Sequence, residues 1–129
     1  MALDQVLNFC KVTVSTGYGF GDTSIVLIGG DGAKLPDPAV SNYNLVWYDA
    51  FSYGDPADDP NHEIVRVTGK STDTITVVRA TTGEGTNPAT TKNTSGHTYK
   101  MILTFTKKNY DDIITEAIMD GDTINGGTF

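Results

Sequence analysis

Between Glu63 and Thr86 the chain reads Glu-Ile-Val-Arg-Val-Thr-Gly-Lys-Ser-Thr-Asp-Thr-Ile-Thr-Val-Val-Arg-Ala-Thr-Thr-Gly-Glu-Gly-Thr. Two runs of β-branched residues flank a short polar connection containing Gly69 and Asp73, the pattern of a β-hairpin. Side chains alternate along a strand, so Val65 and Val67 share a face with Glu63, and Ile75 and Val77 share a face with Arg79. If all four aliphatics point into one core, odd positions must pair with odd, because a one-residue slip turns one set outward. The simplest such register sets Val67 opposite Ile75, Val65 opposite Val77 and Glu63 opposite Arg79. A carboxylate and a guanidinium then share the inward face at the open end of the hairpin. This predicts a partly buried structural ion pair, Glu63–Arg79, and not a catalytic acid.

The remaining strand signals follow the same logic. Phe9–Val14 alternates Cys10, Val12 and Val14 with Lys11 and Thr13, which predicts one solvated face. Ser24–Ile28 is a nearly continuous apolar run ending at Gly29-Gly30-Asp31-Gly32, which predicts a strand buried on both sides. Asn44–Tyr48 and Tyr99–Thr106 complete six candidates, the last with Tyr99, Met101, Leu103 and Phe105 on one face. Short strands without helices between them predict a mainly β fold, a small antiparallel barrel or sandwich. A single helix is expected from about Asn109 to Met119. Asn109 is the candidate N-cap, Asp111 and Asp112 fall in the first turn, and Tyr110, Ile113, Ile114, Ala117 and Ile118 form an apolar stripe. The helix should close one end of the barrel or pack on a neighbouring subunit. Residues 1–119 thus read as one domain, with the glycine-bearing stretch 120–129 as a flexible C-terminal arm.

At 129 residues the chain can bury one core unaided. Fourteen glycines and only 38% hydrophobic residues fit a turn-rich β protein. The net charge of −7 repels phosphate backbones, which argues against nucleic-acid binding. Cys10 is the only cysteine, so intrachain disulfides are excluded, and it reads as a small apolar side chain of the first strand. The N-terminus has neither the basic start nor the long apolar run of a signal peptide, and no stretch is long enough to span a membrane as a helix.

Catalytic and ligand chemistry is sparse. His62 and His97 are the only histidines, and neither belongs to a nucleophile motif. Asp55, Asp58 and Asp59 share a loop with Pro56 and Pro60, an oxygen-rich stretch that hard cations favour but that also suits a simple solvated turn. Asp120-Gly121-Asp122 lacks the glycine that a calcium loop needs at its sixth position, which is Asn125. Gly17-Tyr18-Gly19-Phe20-Gly21 opens no helix and reads as a hairpin loop instead of a phosphate cradle. No catalytic residue, cofactor or metal is expected. The aromatic group Tyr43, Trp47, Tyr48, Phe51 and Tyr53 has three readings: core, subunit interface, or sugar-binding platform. Leu45 and Trp47 project to one side of their strand, Val46 and Tyr48 to the other, so the strand should be covered on both faces.

The hairpin also carries a resemblance. Glu-Ile-Val-Arg-Val-Thr, a turn, Asp-Thr-Ile-Thr-Val-Val-Arg-Ala and a following Gly-Thr element resemble a small β domain of tailed-bacteriophage virion proteins. That domain occurs at the N-terminus of tail-fibre-type proteins and as short stand-alone virion proteins. The similarity extends upstream to Gly32-Ala33-Lys34-Leu35-Pro36 and Val46-Trp47, and downstream from Thr91 to Met101, roughly two-thirds of the chain. It departs after Arg79, where Thr81-Thr82-Gly83-Glu84-Gly85-Thr86 stands in place of a Gln-Glu-Gly-Thr run. The resemblance implies a non-enzymatic structural part of a tailed-phage particle, made in the bacterial cytoplasm and located in the virion. It implies other capsid, tail or fibre proteins and further copies of itself as partners. A carbohydrate-binding adhesion module contacting host glycans is the alternative. Ile124 and Phe129, isolated apolar residues of the last segment, join the aromatic group as interface candidates, with 120–129 as an assembly arm.

Overall fold

The computed structural model of the chain describes residues 3–8, 10–80 and 87–119, with the side chains of 118 and 119 excepted. Six strands form one antiparallel sheet: β1 (Lys11–Thr13), β2 (Ser24–Val26), β3 (Tyr43–Asp49), β4 (Glu63–Ser71), β5 (Thr74–Val78) and β6 (Tyr99–Ile102). Among the described residues one α-helix, α1 (Lys107–Met119), follows, and two 3-10 turns cover Asp31–Lys34 and Pro56–Asp58. Strand order is β1-β6-β3-β4-β5-β2. The sheet curls until its edges touch. Val14 bridges Leu27, Ser15 N–H donates to Val26 O at 2.9 Å, and Ile28 N–H donates to Thr13 O at 2.9 Å. The fold is therefore mainly β, a strongly curled antiparallel sheet with one C-terminal helix.

The concave face holds the core. Cys10, Val12, Val14, Ile25, Leu27, Tyr43, Leu45, Trp47, Val65, Val67, Ile75, Val77 and Met101 are all buried there with Leu35. Each follows the period-two alternation of its strand. Ser24–Ile28 departs from the expected double burial: Ile25 and Leu27 point inward, whereas Val26 and Ile28 are exposed. The reason is that the sheet is one curled layer whose convex face is left to solvent at β2, so only alternate residues meet the core.

The hairpin register also differs from expectation. Ser71 pairs with Thr74, so only Thr72 and Asp73 form the turn, with Thr72 at φ 55°. Such a turn pairs odd positions with even ones and would set Val67 and Val77 on opposite faces. A bulge between Val67 and Gly69 inserts one residue and restores the match, so Val67 pairs with Val77 and not with Ile75. Gly69, an isolated glycine inside a strand pattern, is the signal that marks it. The short turn is held by a neighbour: Asp73 carboxylate oxygens accept from Gly30 N–H at 3.1 Å and Gly32 N–H at 2.9 Å.

The end of the chain is also revised. β6 stops at Ile102, where its pairing with β1 and β3 runs out, and Phe105 is exposed. Helix α1 starts earlier than expected, with Thr106 and Asn109 forming a reciprocal cap. Asn109 Oδ1 accepts from Thr106 N–H at 2.8 Å, and Thr106 Oγ1 accepts from Asn109 N–H at 3.4 Å. Asn109 is thus the third helical residue, not the N-cap. Asp111 and Asp112 lie in the second turn, where they pair with Lys107 and Lys108 at four-residue spacing.

Candidate functional site

At one end of the curled sheet a cluster of charges is buried. Glu63 has no solvent exposure, and Lys92 has 1%. Arg79 donates to Glu63 through Nε at 2.8 Å and Nη2 at 3.0 Å, so the expected ion pair exists and is bidentate. Its geometry is diagonal, because the bulged register places Arg79 two positions beyond Val77, level with Val65. Arg79 also donates to Gly19 O at 2.6 Å, Asp22 O at 2.9 Å and Thr90 O at 2.8 Å. All five guanidinium N–H groups are consequently used. Glu63 accepts further from Ala80 N–H at 2.9 Å, with Ala80 held at φ 45°.

Lys92 completes the cluster, and nothing in its sequence context announced it. Its ammonium stands 3.6 Å from Glu63, donates to Asn61 O at 2.9 Å and to Thr90 Oγ1 at 2.6 Å. Its backbone bridges Tyr18 in both directions, which draws the glycine-rich loop over the end of the sheet. The Trp47 ring lies beneath, 4.8 Å from the Arg79 guanidinium carbon and 5.6 Å from Lys92 Nζ. Burial alone would raise the Glu63 pKa. The Arg79 bonds, the Ala80 N–H and the Lys92 charge outweigh it and hold the carboxyl below its ordinary value. Burial lowers Lys92, with Glu63 opposing. Among the described residues these bonds tie β4 and the end of β5 to the segments carrying Gly19, Asp22, Asn61 and Thr90.

A second polar group lies at Asp49. Its carboxylate accepts from Phe51 N–H at 3.0 Å, Ser52 N–H at 3.2 Å and His97 Nδ1 at 2.7 Å. Ser52 Oγ also approaches His97 Nδ1, at 3.4 Å. A serine–histidine–aspartate relay needs the serine and carboxylate on opposite ring nitrogens, so this arrangement cannot shuttle a proton between them. The Asp55–Asp59 loop is likewise occupied by its own backbone. Asp55 accepts from Ala57 N–H at 2.9 Å, while Asp59 turns inward to accept from Asp49 N–H and Asn61 N–H, each at 2.8 Å. His62 Nδ1 contacts Asp59 O at 2.7 Å. Among the described residues no three metal-ligating side chains converge.

The aromatic candidates divide sharply. Tyr43, Trp47 and Tyr48 are buried, Tyr43 with its hydroxyl donating to Pro36 O at 2.9 Å, so they are packing residues and not surface anchors. Tyr53 is half-buried, and Phe51, 71% exposed, meets His97 edge-on. Ile124 and Phe129 lie outside the described residues, as does the whole arm 120–129.

An exposed apolar surface at α1 was only partly foreseen. Tyr110, Ile113 and Ile114 of α1 are 57%, 44% and 36% exposed, and Leu3, Val6 and Phe105, also exposed, adjoin Ile113. Leu3, Val6, Phe105, Asn109 and Ile113 line a cavity of about 170 Å³ between the N-terminal segment and the helix. What holds α1 there is polar. Asp4 receives Arg66 at 2.9 and 3.0 Å, and Lys108 and Asn109 each at 3.4 Å. The helix is therefore tethered through its first turn, while its stripe stays at the surface and does not close the barrel. On the convex side of the sheet, Ile102, Val46 and Ile64 sit in register on adjacent strands and floor a cleft of about 350 Å³ with Pro56, Ala57 and His62. Among the described residues no helix is long and apolar enough to cross a membrane. No protein-family model matches the chain, and no curated protein matches it.

Proposed function

We propose that this protein is a non-enzymatic structural component of a tailed-phage particle, acting as a small rigid body that assembles with neighbours. The observation that carries this reading is the exposed apolar face formed by α1 and the N-terminal segment. A fold that can bury thirteen alternating side chains in its sheet leaves Tyr110, Ile113, Ile114, Leu3, Val6 and Leu7 at the surface. Exposed apolar patches of this kind are covered by partners in use. The polar groups support the same reading, since Glu63, Arg79, Lys92, Asp49 and Asp59 are consumed in bracing loops. Virion membership itself is supported by the resemblance of the hairpin and its flanks to the phage β domain. The glycan-binding alternative has less support: Trp47, Tyr43 and Tyr48 are inside, and Phe51 stands edge-on to His97 instead of forming a flat platform.

The test is biochemical. An epitope-tagged copy expressed during infection should co-sediment with purified particles and remain through washing with a chelator. A protein that stays wholly in the soluble lysate would sink the reading. Release by chelator would redirect attention to Asp55, Asp58 and Asp59.

A further inference from the structure

We infer that a trench across the convex face of the sheet holds an extended segment of a partner protein that carries an acidic, an apolar and a basic residue at alternate positions. The trench lies apart from the α1 stripe, and the inference goes beyond the assembly reading above, because it does not require the partner to be a virion protein.

The floor follows from strand register. Lys11, Ile102, Val46 and Ile64 pair in turn across β1, β6, β3 and β4, and all four lie on the face opposite the core. The chain itself occupies both flanks. On one side Asn44 and Arg66 are tied to Asp4. On the other, Tyr48 is buried where the Pro56–Asp58 turn packs on β3. Val46, Ile64 and Ile102 stay half-buried between them. Their cleft of about 350 Å³ shares Ile102 and Thr104 with a second of about 360 Å³ that reaches Lys11.

The two ends of this trench carry opposite charge. Lys11 is exposed and forms no ion pair among the described residues. In the other cleft Asp55 spends one carboxylate oxygen on Ala57 N–H and keeps the second open. His62 donates through Nδ1 to Asp59 O, so Nε2 of the neutral ring is an acceptor too. A bound chain therefore presents an acid to Lys11 and a base to Asp55 and His62. Length agrees with charge. Strands about 4.8 Å apart put the Lys11 position roughly 14 Å from that of Ile64. In an extended chain every second side chain faces the floor, and positions four residues apart are about 13 Å apart, with one apolar side chain midway. Strands β3 and β6 already have neighbours on both sides, so the segment crosses them and is held by its side chains. A long-chain carboxylate would satisfy Lys11 but press its apolar tail against Asp55.

The probe is the acetylated, amidated peptide Ser-Glu-Ser-Leu-Ser-Lys-Ser, titrated into isotope-labelled full-length protein and followed by amide chemical shifts. Saturable shifts are expected at Lys11, Val46, Ile64 and Ile102 and not along α1. Replacing the peptide's Glu with Lys should weaken binding roughly twofold to fivefold, the worth of one exposed ion pair. Lys11→Glu should reverse that preference. Ile64→Thr, which keeps a β-branched side chain on the strand, should weaken both peptides while the rest of the spectrum is unchanged. No saturable shift at millimolar peptide, shifts centred on α1, or a preference that Lys11→Glu leaves unaltered overturns the inference. Trench shifts that appear on concentrating the protein alone assign the site to a second copy, and tighter binding of decanoate at the same amides assigns it to an amphiphile; either overturns the partner segment. Peptide binding is read in solution and particle membership in sedimented virions, so either result can fail without the other.

Discussion

Asp4 and Arg66, 62 positions apart, form a two-pronged ion pair with N–O distances of 2.9 and 3.0 Å on the convex side of the sheet. Arg66 Nη1 also donates to Asn44 Oδ1 at 3.0 Å, and the same carboxylate receives Lys108 and Asn109. One side chain thereby joins the N-terminal segment, strands β3 and β4, and the first turn of α1. Burial would raise the Asp4 pKa, but Arg66 and Lys108 outweigh it and hold the carboxyl below its usual value. Removing this link should free the helix without melting the sheet. Asp4→Ala should lower helical signal in far-ultraviolet circular dichroism while the main thermal transition stays in place. Simultaneous loss of both would show that α1 belongs to the cooperative core.

Arg79→Ala should be severely destabilising. It strands the buried Glu63 carboxylate and releases three backbone carbonyls at once. Breaking one side of a buried pair costs about 3–5 kcal/mol, which for a domain of this size lowers Tm by more than about 8 °C. Differential scanning calorimetry reads it directly. A shift of only a degree or two would mean the cluster contributes nothing net.

Stability should fall as pH falls. Glu63 is held below its ordinary 4.5, and Asp4, Asp31 and Asp49 below 3.8. Each therefore binds a proton more readily when unfolded, so each contributes stability that is complete above the unfolded pKa and lost as pH drops through the folded one. Urea midpoints should hold steady near neutrality and decline below about pH 5. Glu63→Gln should be less stable at pH 7 and show a shallower decline. An equally steep decline in that variant would assign the acid sensitivity to the aspartates.

Gly32→Ala should destabilise through backbone contact. A Cβ at Gly32 runs into the Thr72 carbonyl group, which belongs to the two-residue turn and cannot swing away. Overpacking of this sort costs about 1–3 kcal/mol or more. Gly29→Ala, where a Cβ meets open space, is the matched control and should melt near wild type.

Cys10 should be unreactive in the native protein. Burial raises its thiol pKa against the opposing charges of Lys34 and Lys70, and its Sγ lies 3.2 Å from Lys34 O. A thiol reagent should modify it only as fast as the protein unfolds, with prompt labelling in denaturant. Rapid labelling without denaturant would indicate local opening of β1.

The amino-acid order by itself determined which side chains face the core. Cys10, Val12, Val14, Val65, Val67, Ile75 and Val77 point inward because alternation is a property of neighbouring residues along one strand, and no distant contact is needed to establish it. The partnership of Glu63 with Arg79 was legible for the same reason, since both lie on the inward face of one hairpin. Pairing depth was not. The two-residue turn at Thr72–Asp73 depends on Asp73 reaching Gly30 and Gly32, far away in the chain, and the bulge at Gly69 exists to reconcile that turn with the inward valines. Lys92 joined the buried charges from a stretch with no strand pattern, because a bridge to Tyr18 carried it there. The surface position of the α1 stripe was also a tertiary decision. An apolar face announces only that it will be covered, whereas the clamp of Asp4 on Arg66, Lys108 and Asn109 settles that the sheet of the same chain does not cover it.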